Sequence, residues 1–250
     1  MKLNFAYLTE EGIKTPVNQD YYTVPHADQD VQKKGWLFAI CDGVGGYAGG
    51  NIASKTCGKM LNKDYYDSEE IDDISHWLND ELIKINKTVL DTAKDEPKLQ
   101  GMATTIVSLL IQNEMAYLNN VGDSRIYMFQ NNSLKQLTED HSVVWEYFIR
   151  NIITKNEIID SNIKHLITEA IGLNYYPRIN SYKIPLPEEF TFLLCSDGLT
   201  DVVIDDKIEE ILINNPEDLD NCAKELYQLA LKSSSRDDVT IILVSDKGNK

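Results

Sequence analysis

The chain has 250 residues, 40 Asp and Glu against 24 Lys and Arg, and a formal net charge of −16. Its 42% hydrophobic content is enough for a folded core and excludes a disordered chain. The carboxylate excess disfavours nucleic acid and anionic membranes as partners. The first residues, MKLNFAYLTEEG, hold no sustained apolar run. No stretch approaches the ~20 apolar residues that span a bilayer. The expectation is a cytoplasmic protein without signal peptide or membrane contact.

In chain order, a buried strand is predicted at Trp36 to Cys41. Helices follow over Asn51 to Leu61 and about Ile71 to Ala93, the second with Ile74, Trp77, Leu78, Leu82, Ile85 and Val89 on one stripe. Strands Thr104 to Ile111 and Met115 to Val121 are joined by a turn at Gln112-Asn113-Glu114. A strand at Arg125 to Phe129 passes through the Asn131-Asn132 turn toward Leu134 to Leu137. Residues 142–164 are irregular and polar at their centre, and read as an insertion or flap. Strand Phe190 to Cys195, helix Pro216 to Leu231 and strand Val239 to Val244 complete the chain. There is no repeat and no Gly-, Pro- or Ser-rich linker, so one domain over residues 1–250 is expected. Strands and amphipathic helices in blocks indicate a layered α/β protein of the α+β kind. Cys41, Cys57, Cys195 and Cys222 lie in apolar stretches without a C-x-x-C pair, and read as buried reduced thiols.

Four aspartates stand where a predicted strand meets a loop. Asp42-Gly43 follows WLFAIC, Gly122-Asp123-Ser124 follows AYLNNV, Asp197-Gly198 follows FTFLLCS, and Asp237-Asp238 precedes VTIILV. One such Asp is commonly only a turn residue, but loops at strand ends are where scaffolds place functional groups. Converging carboxylates raise one another's pKa unless divalent cations compensate. Oxygen-only donors suit Mg²⁺, Mn²⁺ or Ca²⁺ better than zinc. Gly43 lets the backbone approach closely, so that its carbonyl can join the set.

The segments around these aspartates carry a resemblance. FAICDGVGGYAGGNIAS, GMATTIVSLL, NNVGDSRIYMFQNNSLKQLTEDHS, ITEAIG, LLCSDGLTDVV and RDDVTIILV occur in that order, preceded by Gly12 and Asn18-Gln19-Asp20. Together they resemble the motifs of the PPM family, the type 2C metal-dependent serine/threonine protein phosphatases of bacterial type, from about Gly12 to Val244.

The resemblance implies two packed antiparallel sheets flanked by helices on both sides, with a metal site at one end between them. It implies that Asp42 bridges two Mn²⁺ or Mg²⁺ ions, that the Gly43 carbonyl binds one, and that Asp197 and Asp237 bind the other. Asp123 matches a ligand of a third, weaker ion. Asp20 matches an acid that orients the attacking water, so Asp20 and Asp42 are the catalytic candidates. The reaction implied is hydrolysis of phosphoserine and phosphothreonine in proteins by a monomeric enzyme opposing a Ser/Thr kinase.

Three positions depart from the pattern. Thr15 stands where many members carry a phosphate-binding arginine, leaving Lys14 and Thr15 as candidates for substrate phosphate. Gln19 replaces a metal-associated glutamate, and Val44 a histidine of eukaryotic members. Two other readings stay open: a catalytically impaired regulatory or phosphoprotein-binding module, and a hydrolase of small phosphate esters. His141 reads as a structural hydrogen-bonder, Arg125 as half of a buried ion pair or a phosphate contact, and His26, His76 and His165 as surface or packing residues.

Overall fold

The structure, a computed structural model, describes residues 2–13, 17–44 and 49–247. Lys14 and Thr15 lie outside the described residues. The chain forms two compact units, each assembled from separated segments: residues 1–18, 123–168 and 187–250 in the first, residues 19–122 and 169–186 in the second.

The second unit holds a five-stranded antiparallel sheet in the order β2 (Asp20–Thr23), β3 (Trp36–Asp42), β4 (Ile106–Gln112), β5 (Met115–Val121), β8 (Asn180–Pro185). A short helix α1 (Val31–Lys34) leads into β3. Two long helices, α2 (Gly50–Asp67) and α3 (Ile74–Asp95), cover the sheet. The residues Leu37, Ala39 and Cys41 alternate along β3 and meet Cys57, Leu61 and Tyr65 of α2 with Leu78, Leu82, Ile85 and Val89 of α3 in one buried cluster. Each Leu, Ile and Val side chain among them contributes roughly 1.5–3 kcal/mol by leaving water. Helix α2 runs past the expected Leu61 because Tyr65, one turn further on, still belongs to that core. Helix α3 starts at Ile74 rather than Ile71 because the Asp73 carboxylate accepts from the His76 N–H at 3.1 Å and caps the first turn.

The first unit holds a second five-stranded antiparallel sheet, in the order β1 (Asn4–Glu10), β10 (Val239–Ser245), β9 (Thr191–Cys195), β6 (Arg125–Gln130), β7 (Ser133–Gln136). Tyr127, Leu193, Cys195, Ile241 and Leu243 pack there under α7 (Asp205–Asn214) and α8 (Leu219–Lys232). Helix α8 starts at Leu219, three residues later than expected, where the Asp218 carboxylate accepts from the Asn221 N–H at 2.9 Å. The four-residue α6 (Asp197–Thr200) follows β9. The expected flap, 142–164, contains two short helices, α4 (Val143–Ile149) and α5 (Lys155–Ile159), with a small core of Val144, Trp145 and Ile158. Ser142 caps α4, and the reciprocal Thr154 and Glu157 hydrogen bonds cap α5.

Both hairpin turns fall where the sequence places them. Asn113 and Glu114, then Asn131 and Asn132, have φ values of 51° to 59°, as a two-residue turn between antiparallel strands requires. All four cysteines are free and buried. No helix among the described residues is long and apolar enough to cross a membrane.

One buried polar side chain in α3 ties down a surface loop. Asn86 accepts from the Gly172 N–H at 2.7 Å and donates to the Asn174 carbonyl at 2.9 Å. Asn86→Ala leaves the buried Gly172 N–H without this acceptor, and urea unfolding is expected to show a loss of about 1–3 kcal/mol. An unchanged midpoint would mean that the amide does not hold the loop.

Candidate functional site

In the second unit, the register of β2 against β3 sets Asp20 directly opposite Asp42. Directly opposed side chains point to the same face with Cβ atoms ~4.5–5.5 Å apart, and like charges so placed repel. The backbone around Asp42 is pinned on both sides. Its N–H donates to Thr105 Oγ1 at 3.2 Å, and its carbonyl accepts from Thr104 Oγ1 and from the Thr105 N–H, each at 2.8 Å. The next residue, Gly43, donates to the Gln19 carbonyl at 3.1 Å. A Cβ on Gly43 would lie 2.5 Å from the Gly50 carbonyl carbon, so only glycine fits beneath the start of α2. Thr104 and Thr105 were visible in the GMATT segment, but their task of holding Asp42 was not.

In the first unit, the register aligns Arg125 with Cys195 and Cys195 with Ile241. Asp123 lies two residues before Arg125, Asp197 two after Cys195, and Asp237 just ahead of β10, so all three gather at one end of this sheet. Ser196 locks the junction: its N–H donates to the Thr240 carbonyl at 3.1 Å and its Oγ accepts from the Thr240 N–H at 2.9 Å. Gly198 packs so closely on Asp238 that a Cβ would lie 2.1 Å from the Asp238 carbonyl oxygen. Asp238 itself is a loop anchor, its carboxylate accepting from the Gly12 N–H at 2.7 Å.

A small cavity of ≈ 10 Å³, room for about one water-sized sphere, is lined in this unit by Asp123, Asp197, Asp201, Thr200, Ser142 and Lys164, among others. Asp123 is buried, and its carboxyl is pushed up to about 7, first by burial and then by the charges of Asp140 and Asp201, against the opposing pull of Arg125. Asp201 was missed as a candidate. It stands four residues after Asp197 in the same LLCSDGLTDVV segment, a spacing of one helical turn.

Arg125 forms the buried ion pair. Its Nε lies 3.0 Å from both Asp140 oxygens and its Nη2 2.6 Å from Oδ2. His141 is buried, and its carbonyl accepts from the Thr168 N–H. His26, His76 and His165 are exposed. Burial pushes the Cys41 and Cys195 thiols upward, which suits packing and not nucleophilic attack.

A match to the family described as protein phosphatase 2C covers residues 19–146. The serine/threonine phosphatase stp of Listeria welshimeri is 33% identical over 211 residues, 83% of each chain. The chain belongs to the protein phosphatase 2C family. Members of this family are metal-dependent serine/threonine phosphatases. The crystal structure of the serine/threonine phosphatase Stp1 from Staphylococcus aureus superposes with a TM-score of 0.91 at 29% identity, covering 99% of this chain and 96% of that one. The catalytic domain of the serine threonine protein phosphatase PstP, solved in complex with two manganese ions, gives a TM-score of 0.80 at 29% identity over 97% of both chains. The two antiparallel five-stranded sheets with their helices are the fold these phosphatases share.

Among the described residues, no three His, Cys, Asp or Glu side chains are already grouped as ligands of one metal ion. The chemistry of the donors nonetheless fits a hard divalent cation. They are all oxygen, Asp20 and Asp42 face each other as like charges, and Asp123 sits buried among further carboxylates.

Proposed function

We propose that the protein hydrolyses phosphoserine and phosphothreonine in proteins, with Asp42, Gly43, Asp123, Asp197 and Asp237 as ligands of two Mn²⁺ or Mg²⁺ ions and a third, weaker one. The observation that carries this reading is the opposed Asp20 and Asp42 pair on β2 and β3, in a chain whose relative PstP was solved with manganese. When bound by these residues, the ions would supply positive charge for the phosphate oxygens and lower the pKa of water. The chain's own part is positioning. The threonine-pinned backbone fixes Asp42, the Ser196 clamp fixes the loop that carries Asp197, and Asp20 accepts a proton or hydrogen bond from the attacking water. Lys14 and Thr15 are proposed to meet the substrate phosphate. A monomer acting in the cytoplasm against a Ser/Thr kinase completes the proposal.

The test is turnover of a phosphothreonine peptide by wild-type protein with Mn²⁺ and then with excess chelator, alongside calorimetry of Mn²⁺ binding. Turnover that requires the ion is expected. Folded, ion-loaded protein without turnover would favour the phosphoprotein-binding module, with the Lys14 and Thr15 segment the first suspect.

A further inference from the structure

The loop spanning residues 172–178, LNYYPR after Gly172, plays no part in the reading above. It carries the most exposed large hydrophobic side chains among the described residues, Tyr176 at 92% and Tyr175 at 76%, with Leu173 also exposed. Adjacent exposed aromatics are costly to keep in water and mark interaction surfaces. The loop is held in place from inside the unit. The buried Asn86 side chain bonds Gly172, Asn174 and the Tyr175 carbonyl, and the Arg178 N–H donates to the Glu169 carboxylate at 3.4 Å. Two rigidly presented tyrosines offer large contact area at low entropic cost.

The loop is also continuous with the candidate metal end. Thr104 is bridged on one side to Gly43 and on the other to Ile171, the residue before Gly172. Two strand spacings of ~4.8 Å put Ile171 about 10 Å from Gly43, the length of about three residues of extended peptide. Tyr175 and Tyr176 follow Ile171 by four and five residues, so the loop that carries them starts beside the candidate metal end, the side on which the residues flanking a phosphorylated side chain would extend.

We infer that Tyr175 and Tyr176 form a docking site for the phosphoprotein substrate, gripping its polypeptide a few residues from the phosphorylated side chain where that segment carries Lys or Arg. The inference rests on the proposed phosphatase activity and names its substrate class. Basic side chains fit because tyrosine faces attract cations, Glu169 lies at the base of the loop, and the whole chain has a net charge of −16. Arg178, the one cation of the loop, follows Tyr176 by two residues and has its N–H on the Glu169 carboxylate.

The experiment compares wild type with the double variant Tyr175→Ala/Tyr176→Ala, both loaded with Mn²⁺. The substrates are a phosphothreonine peptide flanked by Lys and Arg, the same peptide flanked by Ala, and p-nitrophenyl phosphate. Because both side chains are exposed, the variant is expected to melt within about 2 °C of wild type. The ratio of kcat/KM for the basic peptide to that for the ester is expected to fall about tenfold, through KM and not kcat, as loss of a binding anchor does. The Ala-flanked peptide should lose less. A ratio that moves less than twofold overturns the docking site, as does an equal fall for peptide and ester. An equal fall for both peptides overturns the preference for basic segments. Wild-type protein that turns over none of the three substrates overturns the phosphatase reading instead, so the two failures are told apart.

Discussion

Asp42→Asn is expected to cost at least about 10²-fold in turnover of a phosphothreonine peptide while making the ion-free protein more stable than ion-free wild type. Both effects follow from one fact of register. Asp20 and Asp42 are opposed across β2 and β3, and like charges directly opposite destabilise a strand pair by a few tenths to about 1 kcal/mol. An amide at position 42 removes that repulsion and keeps the shape, so urea unfolding in chelator should shift to a higher midpoint. The same change removes a negative charge from the proposed ligand set, so Mn²⁺ should raise the unfolding midpoint of wild type but no longer that of the variant. Asp20→Asn should relieve the same repulsion but keep most Mn²⁺ binding, since Asp20 is proposed to act on water and not on the ions. If Asp42→Asn destabilises the ion-free protein and binds Mn²⁺ as wild type does, the carboxylate is a structural turn residue and the proposed ligand set is wrong.

What the sequence revealed and hid follows from burial. Strands β3, β4, β5, β6, β9 and β10 are nearly continuous runs of buried residues, and such runs are legible as strands. The three strands that escaped notice, β1, β2 and β8, all lie at sheet edges. NSYKIP of β8 has no fully buried residue, and DYYT of β2 is four residues long with only Thr23 buried. Their pairing is fixed by neighbours distant in sequence, which no local pattern reports. Helix α7 escaped because only Ile208 and Leu212 of its ten residues are buried. The carboxylate candidates were found because motif order singles them out. The two threonines that pin Asp42 were passed over because their roles exist only once strands are in register, and Asp201 because its place beside Asp197 needs the short helix α6 after β9. The assignment of a buried ion pair to Arg125 needed a partner, and Asp140, fifteen residues on and beyond a hairpin, is reached only after β6 and β7 fold back on each other.

That pair carries the largest stability effect expected in the molecule. Arg125 and Asp140 are 10% and 3% exposed, so neither charge can turn to water if the other is lost. The guanidinium engages both carboxylate oxygens, and its remaining Nη1 donates to the Tyr127 hydroxyl at 3.1 Å. That hydroxyl donates to Asp205 at the start of α7, and Asp205 is also paired with Lys155 of α5. Gln136 of β7 donates to the same Asp140 carboxylate at 2.9 Å. Removing one partner from a buried pair costs about 3–5 kcal/mol, because the survivor is left buried and uncompensated. Asp140→Ala is therefore expected to lower the melting temperature by about 10 °C and to loosen β7, α7 and α5 together, visible as faster amide exchange in all three. Replacing both partners, Arg125→Met with Asp140→Leu, removes the orphaned charge and should recover most of the lost stability. A double variant as unstable as Asp140→Ala would mean that the hydrogen bonds to Tyr127 and Gln136, and not the uncompensated charge, dominate the cost.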